Sequence, residues 1–312
     1  MKERLVDLLI CPCCLPAEEP LCLEVTERNR DDIISGQICC AACTRRFPIS
    51  DGIALLIPTP HDHPGIANKY ETPAVISSYL WSHYADLMQD ELALTAYREW
   101  AGLLTPHHGL ALDAGCAVGR LAFEMTDKAD FVVGLDTSRR FIATARHLMT
   151  RRQLTFSLKE EGYLSRQVAL TLPDAWDSSK VEFIVADALA IPFKTGAAGS
   201  VASLNLLDKV PQPLVHLQEM NRVARTVDAQ LLVSDPYSWS EEAAPEAAWL
   251  GGQQHGPFCG RGELAVQQLL TGQAGCLAPG WQIARQGAVW WRIRTHANHF
   301  EQIRSCYSRA VR

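Results

Sequence analysis

Residues 110–120, LALDAGCAVGR, run an apolar segment directly into a loop of small residues, and this order constrains the fold more than any other feature of the chain. A strand that ends in such a loop and opens a helix is the ligand-binding corner of a doubly wound sheet, because bare backbone there can approach a ligand closely. The flanking pattern agrees. Apolar spacing predicts one or two helices over 74–104, strands at 110–113 and 131–135, and helices at 119–126 and 138–150. VEFIVAD (181–187), SVASLNLL (200–207), a helical stretch near 212–225 and QLLVSD (230–235) continue the alternation. Strands alternating with helices predict an α/β fold built on a doubly wound, mostly parallel sheet, with ligands beyond the carboxyl ends of the strands.

The loop's glycines restrict its ligand. A dinucleotide loop needs G-x-G-x-x-G, and here Gly115 and Gly119 are four apart while Ala117 occupies the second glycine's place. Close approach of a pyrophosphate is therefore disfavoured. S-adenosylmethionine carries no phosphate and needs only close backbone approach to its methionine part. Asp136 ends the next strand, where a carboxylate can accept both hydroxyls of a ribose. Asp187-Ala188 ends the third strand and Asn205 to Asp208 the fourth. Loop, acid, DA and NLLD in this order resemble the class I S-adenosylmethionine-dependent methyltransferases. That resemblance implies a seven-stranded Rossmann-like sheet with Asp113, Gly115, Cys116, Ala117, Gly119, Asp136, Thr137, Asp187, Ala188 and Asn205 around the cofactor. Cys116 has the place of a nucleophile, but the tight loop calls for a small side chain there, and no covalent role is expected.

Seven of the eleven cysteines lie before residue 44. Two C-x-x-C knuckles, Cys11 to Cys14 and Cys40 to Cys43, set two pairs of thiolates on tight turns, which suits a tetrahedral structural zinc. Cys11, Cys14, Cys40 and Cys43 are the expected ligands, since only they give two x-x spacings; Cys13 and Cys39 stand beside them as substitutes. The alternative is a metal-free cluster of reduced cysteines, which would leave so short a segment without a staple. LCLEV reads as a strand, and FPISDGIALLIP as a strand, a turn at Asp51-Gly52 and a second strand. LLICPCC, the second knuckle and FPISDGIALLIP together resemble the small zinc-ribbon family of methyltransferase activators, over about residues 5 to 58. The resemblance implies a segment that binds and stabilises a methyltransferase, here within one chain. The expected organisation is a zinc ribbon at 1–58, a linker at 59–69 and a methyltransferase domain at 70–312. His61-Asp62-His63 in the linker offers too few ligands for a second metal site.

Charge narrows the partners. The net charge is −6 and the pI about 5.9, and the first 58 residues hold six basic against nine acidic side chains. No field draws the chain to DNA or to an anionic membrane. The first apolar run is too short for a signal peptide and Asp7 interrupts it; no later run approaches the roughly 18 residues of a membrane span. The expected location is the cytoplasm.

Further phrases carry a closer resemblance over about residues 70 to 300. YETPAVISSYLWSHY (70–84), LDAGCAVGRLAFEM (112–125), RFIATARHL (140–148), EEGYL (160–164), NLLDKVPQP (205–213), SDPYSW (234–239), WLGG (249–252) and IRTHANHF (293–300) are similar to the ovothiol-type mercaptohistidine N-methyltransferases. Departures are the zinc ribbon, the ending CYSRAVR, and RTVDAQ in place of a proline-glycine turn before the fifth strand. The resemblance implies N-methylation of a small imidazole- or thiol-containing, amino-acid-like substrate, with Asn205, Asp208, Tyr237 and Trp239 as candidate catalytic residues and Tyr70 over the cofactor. Helix-terminal charge for Asp208, loop packing for Tyr237 and Trp239, core packing for Tyr70 and a satisfied core position for His83 are the plain alternatives. From residue 281 onward six arginines face one acid, so a substrate carboxylate, a solvated edge or structured RNA are open readings of that tail. A zinc-ribbon RNA methyltransferase, a protein substrate and a non-catalytic cofactor-binding activator are the rival functions.

Overall fold

The computed structural model describes residues 1–58 and 69–312; the expected linker feature His61-Asp62-His63 lies outside the described residues. The amino-terminal segment forms an antiparallel meander of β1 (Leu21–Asn29), β2 (Asp32–Cys40), β3 (Arg46–Ser50) and β4 (Ile53–Leu56). Asp51 and Gly52, with φ of 55° and 75°, make the tight turn between β3 and β4. Helices α1 (Pro73–Tyr84) and α2 (Ala96–Leu103) follow. Thr72 caps α1 by accepting the Val75 N–H, with Pro73 at the first helical position, where its missing N–H costs nothing.

The remaining chain gives β5 (Leu110–Ala114), α3 (Arg120–Glu124), β6 (Phe131–Asp136), α4 (Arg139–Arg151), a hairpin of β7 (Gln153–Glu161) and β8 (Leu164–Thr171), then β9 (Val181–Ala186), β10 (Ala198–Leu204), α5 (Pro213–Val223), β11 (Gln230–Asp235), α6 (Gly262–Leu270), β12 (Gln282–His296) and β13 (His299–Val311). The order β9-β6-β5-β10-β11-β13-β12 is parallel from β9 to β11, with β13 antiparallel to both neighbours. The chain winds outward from β5 through β6 to β9 and then returns to β10, so the switch point lies between β5 and β10, beside the LALDAGCAVGR loop. Helices α1 to α4 and the β7–β8 hairpin cover one face of the sheet, and α5, α6 and the amino-terminal segment share the core of the other.

Two features go beyond the sequence pattern. The β7–β8 hairpin fills 153–171, where no element is expected, and buries Phe156, Leu158, Val168 and Leu170 beneath it. The amino-terminal segment is also no separate bead. β4 pairs in parallel with β9 through Leu55 with Val185 and Leu56 with Ala186, making one eleven-stranded sheet.

The joint is locked by buried charge. Glu182 on β9 is 0% exposed and binds Arg146 of α4, the Lys2 main-chain N–H at 2.6 Å and its own neighbour's N–H at Phe183. Arg146 also grips Asp32 of β2 at 2.9 Å, and Lys2 Nζ donates to the Val181 carbonyl at 2.7 Å. Burial alone would push the Glu182 carboxyl up, but Arg146 and then Lys2 hold it down at about 2, against an ordinary 4.5. A carboxyl depressed in the fold stabilises it above pH 4.5 and loses that contribution as the pH falls toward 2. Glu182→Gln is therefore expected to cost about 3 kcal/mol in urea unfolding at pH 7, with the difference from wild type shrinking as the pH is lowered through that window. A cost unchanged at low pH would mean that shape, not charge, sets the role of Glu182.

Candidate methyltransferase site and metal centre

The two cysteine knuckles converge. Cys11, Cys14, Cys40 and Cys43 place their sulfurs within 4.8 Å of one another, with Cys11 to Cys43 at 3.6 Å and Cys14 to Cys40 at 3.8 Å. Four sulfurs on a tetrahedron with Zn–S bonds of about 2.3 Å stand about 3.8 Å apart, so the set fits a zinc ion without rearrangement. The neighbouring cysteines face elsewhere. Cys13 donates to the Pro58 carbonyl, and Cys39 lies opposite Cys22 across the β1–β2 pair. Cys40→Ser is expected to reduce metal content below the one zinc per chain of the parent and to lower stability, while Cys13→Ser and Cys39→Ser keep stoichiometric zinc by metal analysis.

At the switch point the backbone of the glycine loop is forced. Gly115 and Gly119 have φ of 76° and 86°, and Ala117 also adopts a positive φ of 45°. A Cβ at Gly115 would lie 2.8 Å from the Leu206 side chain, and one at Gly119 would lie 2.7 Å from the Phe183 ring. The glycines thus permit close packing of the loop against β10's exit and against β9. The Cys116 thiol turns inward beneath the loop, 4% exposed and near Gly134, and burial pushes it well above its ordinary range. It has none of the electropositive, accessible surroundings of a nucleophile. Asp113 is likewise buried under the loop, accepting the Ala122 N–H of α3 at 3.1 Å, with burial raising its carboxyl to about 7.

Asp136 ends β6 with one carboxylate oxygen accepting the Ala117 N–H at 3.0 Å and the other the Ser138 N–H at 2.8 Å. A carboxylate offers about four lone-pair directions, so two remain for a pair of hydroxyls. Thr137 beside it is exposed. Tyr70, in the turn before α1, packs against Tyr79 and Phe141, and its carbonyl accepts from Ser138 Oγ, which sets it over this strand end. Asp187 accepts the Leu189 N–H, and the Ala188 carbonyl is tied to His216 of α5, whose other ring nitrogen meets Ser203 of β10. The ends of β6, β9 and β10 are thereby held in one arrangement with the loop, and this set fits the amino-acid, ribose and adenine parts of S-adenosylmethionine. Burial lifts Asp136 to about 6. A carboxylate that is to accept two ribose hydroxyls must be ionised, so cofactor affinity measured by calorimetry is expected to fall as the pH drops from 7.5 to 5. Asp136→Asn should weaken binding about tenfold at pH 7.5 and flatten that dependence.

The candidate catalytic residues gather at the ends of β10 and β11. Asn205, at φ 56°, turns its side-chain oxygen to Ser305 Oγ, which itself accepts from the Trp291 indole. Asp208 is 1% exposed; one oxygen takes the Ser238 N–H at 2.7 Å and Lys209 at 3.2 Å, and the other, Oδ1, has no partner. Tyr237 and Trp239 lie 6.1 Å apart by ring centroid, pressed against Gly262 and Gly252, and the Trp239 indole N–H is buried without a partner. Beyond Cys306, which pairs with Asp235, the β12–β13 hairpin projects past the end of β11 and packs Phe300 on Trp81 of α1. Tyr79, Asp235 and Ser305 join this site without having been expected. Only Asp235 had a signal, an acid ending a strand in SDPYSW. His83 is a core residue, fully enclosed and paired with Tyr97 at 2.6 Å.

The arginine-rich tail is largely consumed inside the fold. Arg294 binds Glu160, Arg309 reaches Gln230 and Thr105, and Arg292 donates to the Leu92 carbonyl. Arg312 caps α5 through the Asn221 and Ala224 carbonyls and stacks over Trp281. No described helix is long and apolar enough to cross a membrane.

Comparisons with known proteins match two stretches of the chain. Residues 112–226 match the methyltransferase domain family and residues 2–52 the Trm112p-like family. No curated protein matches the sequence. Among solved structures, one chain of a complex containing the Haloferax volcanii Trm112 methyltransferase activator is 13% identical, with a TM-score of 0.47, covering 79% of this chain and 99% of its own. A SAM-dependent methyltransferase from Methanosarcina mazei is 19% identical, with a TM-score of 0.43, covering 67% and 94%. A third, from a study of the conversion of a disulfide bond into a thioacetal group during echinomycin biosynthesis, is 22% identical, with a TM-score of 0.44, covering 70% and 80%. The chain thus carries a Trm112p-like domain at 2–52 ahead of a methyltransferase domain at 112–226, and use of S-adenosylmethionine follows from the latter.

Proposed function

We propose that the protein N-methylates a small imidazole- or thiol-containing, amino-acid-like molecule, with residues 1–58 acting as a built-in stabiliser of the catalytic domain at 70–312. The observation that carries the substrate reading is Asp208: a carboxylate 1% exposed, with one oxygen unpartnered, at the carboxyl edge of the sheet. Tyr79 lies within electrostatic reach of both Asp136 and Asp208, so the two carboxylates are neighbours of one ring at the same sheet edge. Arg292, Arg294 and Arg309 are engaged within the fold, which leaves Arg285 and Arg304 as the exposed arginines of β12 and β13, too few for a phosphate-binding stripe, and this favours a small acceptor over a folded RNA. The resemblance of NLLDKVPQP, SDPYSW and IRTHANHF to mercaptohistidine N-methyltransferases supports the imidazole class.

Methyl transfer from a sulfonium is a direct displacement, and bound S-adenosylmethionine supplies the methyl group. The chain's part is alignment and exclusion of water. Asn205, held by Ser305, and Asp208 orient the acceptor, and Tyr237 with Trp239 forms an aromatic wall beside the positive charge. Methyl-labelled cofactor added with a cell extract tests the reading: label is expected in the small-molecule fraction. Label in RNA or protein would overturn it.

A further inference from the structure

Between the loop that follows α1, the β7–β8 hairpin and the end of β12 lies a cavity of about 410 Å³ that none of the roles above uses. That volume falls in the range of small-molecule sites, about 300–1,000 Å³. Its walls are fixed to one another. The Ala297 N–H donates to the Glu160 carbonyl at 3.0 Å, Arg292 to the Leu92 carbonyl at 3.1 Å, and the Trp81 indole to Asp90 at 2.9 Å. Trp81, Met88, Leu158 and Val168 give the cavity apolar surface, and Asp90, Glu91, Glu160, Arg166 and Arg294 give it charge. None of these residues belongs to the strand ends and loops that carry the cofactor and candidate catalytic residues.

One of the charged groups is not satisfied. Arg166 and Arg294 each bind the same oxygen of Glu160, Oε1, at 2.9 Å, and Arg166 also reaches Asp90 at 3.6 Å. The Arg294 side chain is 5% exposed, and its other terminal nitrogen, Nη1, is buried without a hydrogen-bond partner among the described residues. A guanidinium donor withdrawn from water and left unmet is costly, so this one calls for an acceptor. A plain anion would meet that donor and three carboxylates with it. A plain cation would suit the carboxylates and leave Nη1 unmet. An α-amino acid carries a carboxylate and an ammonium one carbon apart, which matches the side-by-side opposite charges of Arg294 and Glu160.

We propose that this cavity is a second ligand site, apart from the cofactor edge, that takes an α-amino acid with an apolar side chain. The carboxylate accepts from Arg294 Nη1, the ammonium faces Glu160 and Glu91, and the side chain lies against Trp81, Leu158 and Val168. The site is independent of the identity of the methyl acceptor, because no residue in it is assigned to methyl transfer.

The test uses the full chain saturated with S-adenosylhomocysteine, which closes the cofactor pocket to amino acids, with L-phenylalanine and L-leucine as probes read by calorimetry at pH 7.5. At least one should bind once per chain. The amine that lacks its carboxylate and the acid that lacks its ammonium should each bind about tenfold more weakly or worse. Arg294→Gln should weaken the amino acid about tenfold or more, with S-adenosylhomocysteine affinity unchanged as the sign that the fold persists, and Glu91→Gln should weaken it several-fold. Asp208→Asn should leave amino-acid affinity unchanged. Absence of binding by both probes overturns the proposal, as does equal binding of the amine or the acid, since the cavity then recognises no paired charges. Binding lost in Asp208→Asn and kept in Arg294→Gln also overturns it, because the amino acid then sits at the candidate catalytic residues. Should Arg294→Gln fail to fold, the two analogues on the unaltered chain and the Asp208→Asn affinity decide.

Discussion

The parallel pairing of Leu55 and Leu56 with Val185 and Ala186 is the constraint on which the rest of the molecule depends. Without β4, β9 would be the open edge of a doubly wound sheet, with a row of unpaired backbone groups beside a buried, charged Glu182. Such edges are liabilities. The amino-terminal segment covers this one, supplies Asp32 and Lys2 to the Glu182–Arg146 pair, and merges its apolar residues Leu5, Leu9, Phe47 and Leu56 with Phe131, Ile184 and Phe193 into a common core. Buried ion pairs of this kind add little net stability over apolar packing, but breaking one partner is costly, so they make the joint specific.

The same joint reaches the candidate site. Strand β9 leads directly into Asp187 and Ala188, and Phe183 on it fills the space that the missing Cβ of Gly119 leaves open. The cysteine knuckles flank the meander whose last strand pairs with β9. Cysteine knuckles, meander, β9 and glycine loop thus form a continuous path of packing from the sulfur cluster to the sheet edge that carries the loop.

At that edge local strain and buried charge coincide. Positive φ at Ala117, Asn205 and Tyr237, all non-glycine, lies in the three loops that converge there. Raised carboxyls at Asp113, Asp208 and Asp235 lie in or beside the same loops, and Asp136, at the end of β6, accepts from the first of them, with burial the largest cause each time. Residues held in such conformations and such protonation states persist only when the surroundings over-determine them, as at binding sites.

Much of this was legible beforehand. Helix and strand periodicity located all the parallel strands of the central sheet, because a strand buried on both faces must be apolar and a loop that lets backbone approach a ligand must be small. The spacing of two C-x-x-C pairs selected four sulfurs out of seven nearby cysteines, since turn geometry fixes which thiols of a knuckle point together. Tertiary structure alone decided what depends on distant partners. The sequence does not register which edge β4 joins, because backbone pairing reads no side chain. Nor does it show that Arg294, Arg309 and Arg312 are taken up within the fold, or that Asp235 accepts the Asp208 main-chain N–H, since charge in a sequence says nothing of the partner it will meet. The β7–β8 hairpin escaped although Leu154, Phe156 and Leu158 alternate with polar residues: it interrupts the strand–helix order between α4 and β9, and its apolar face is covered only by packing against distant elements such as α1.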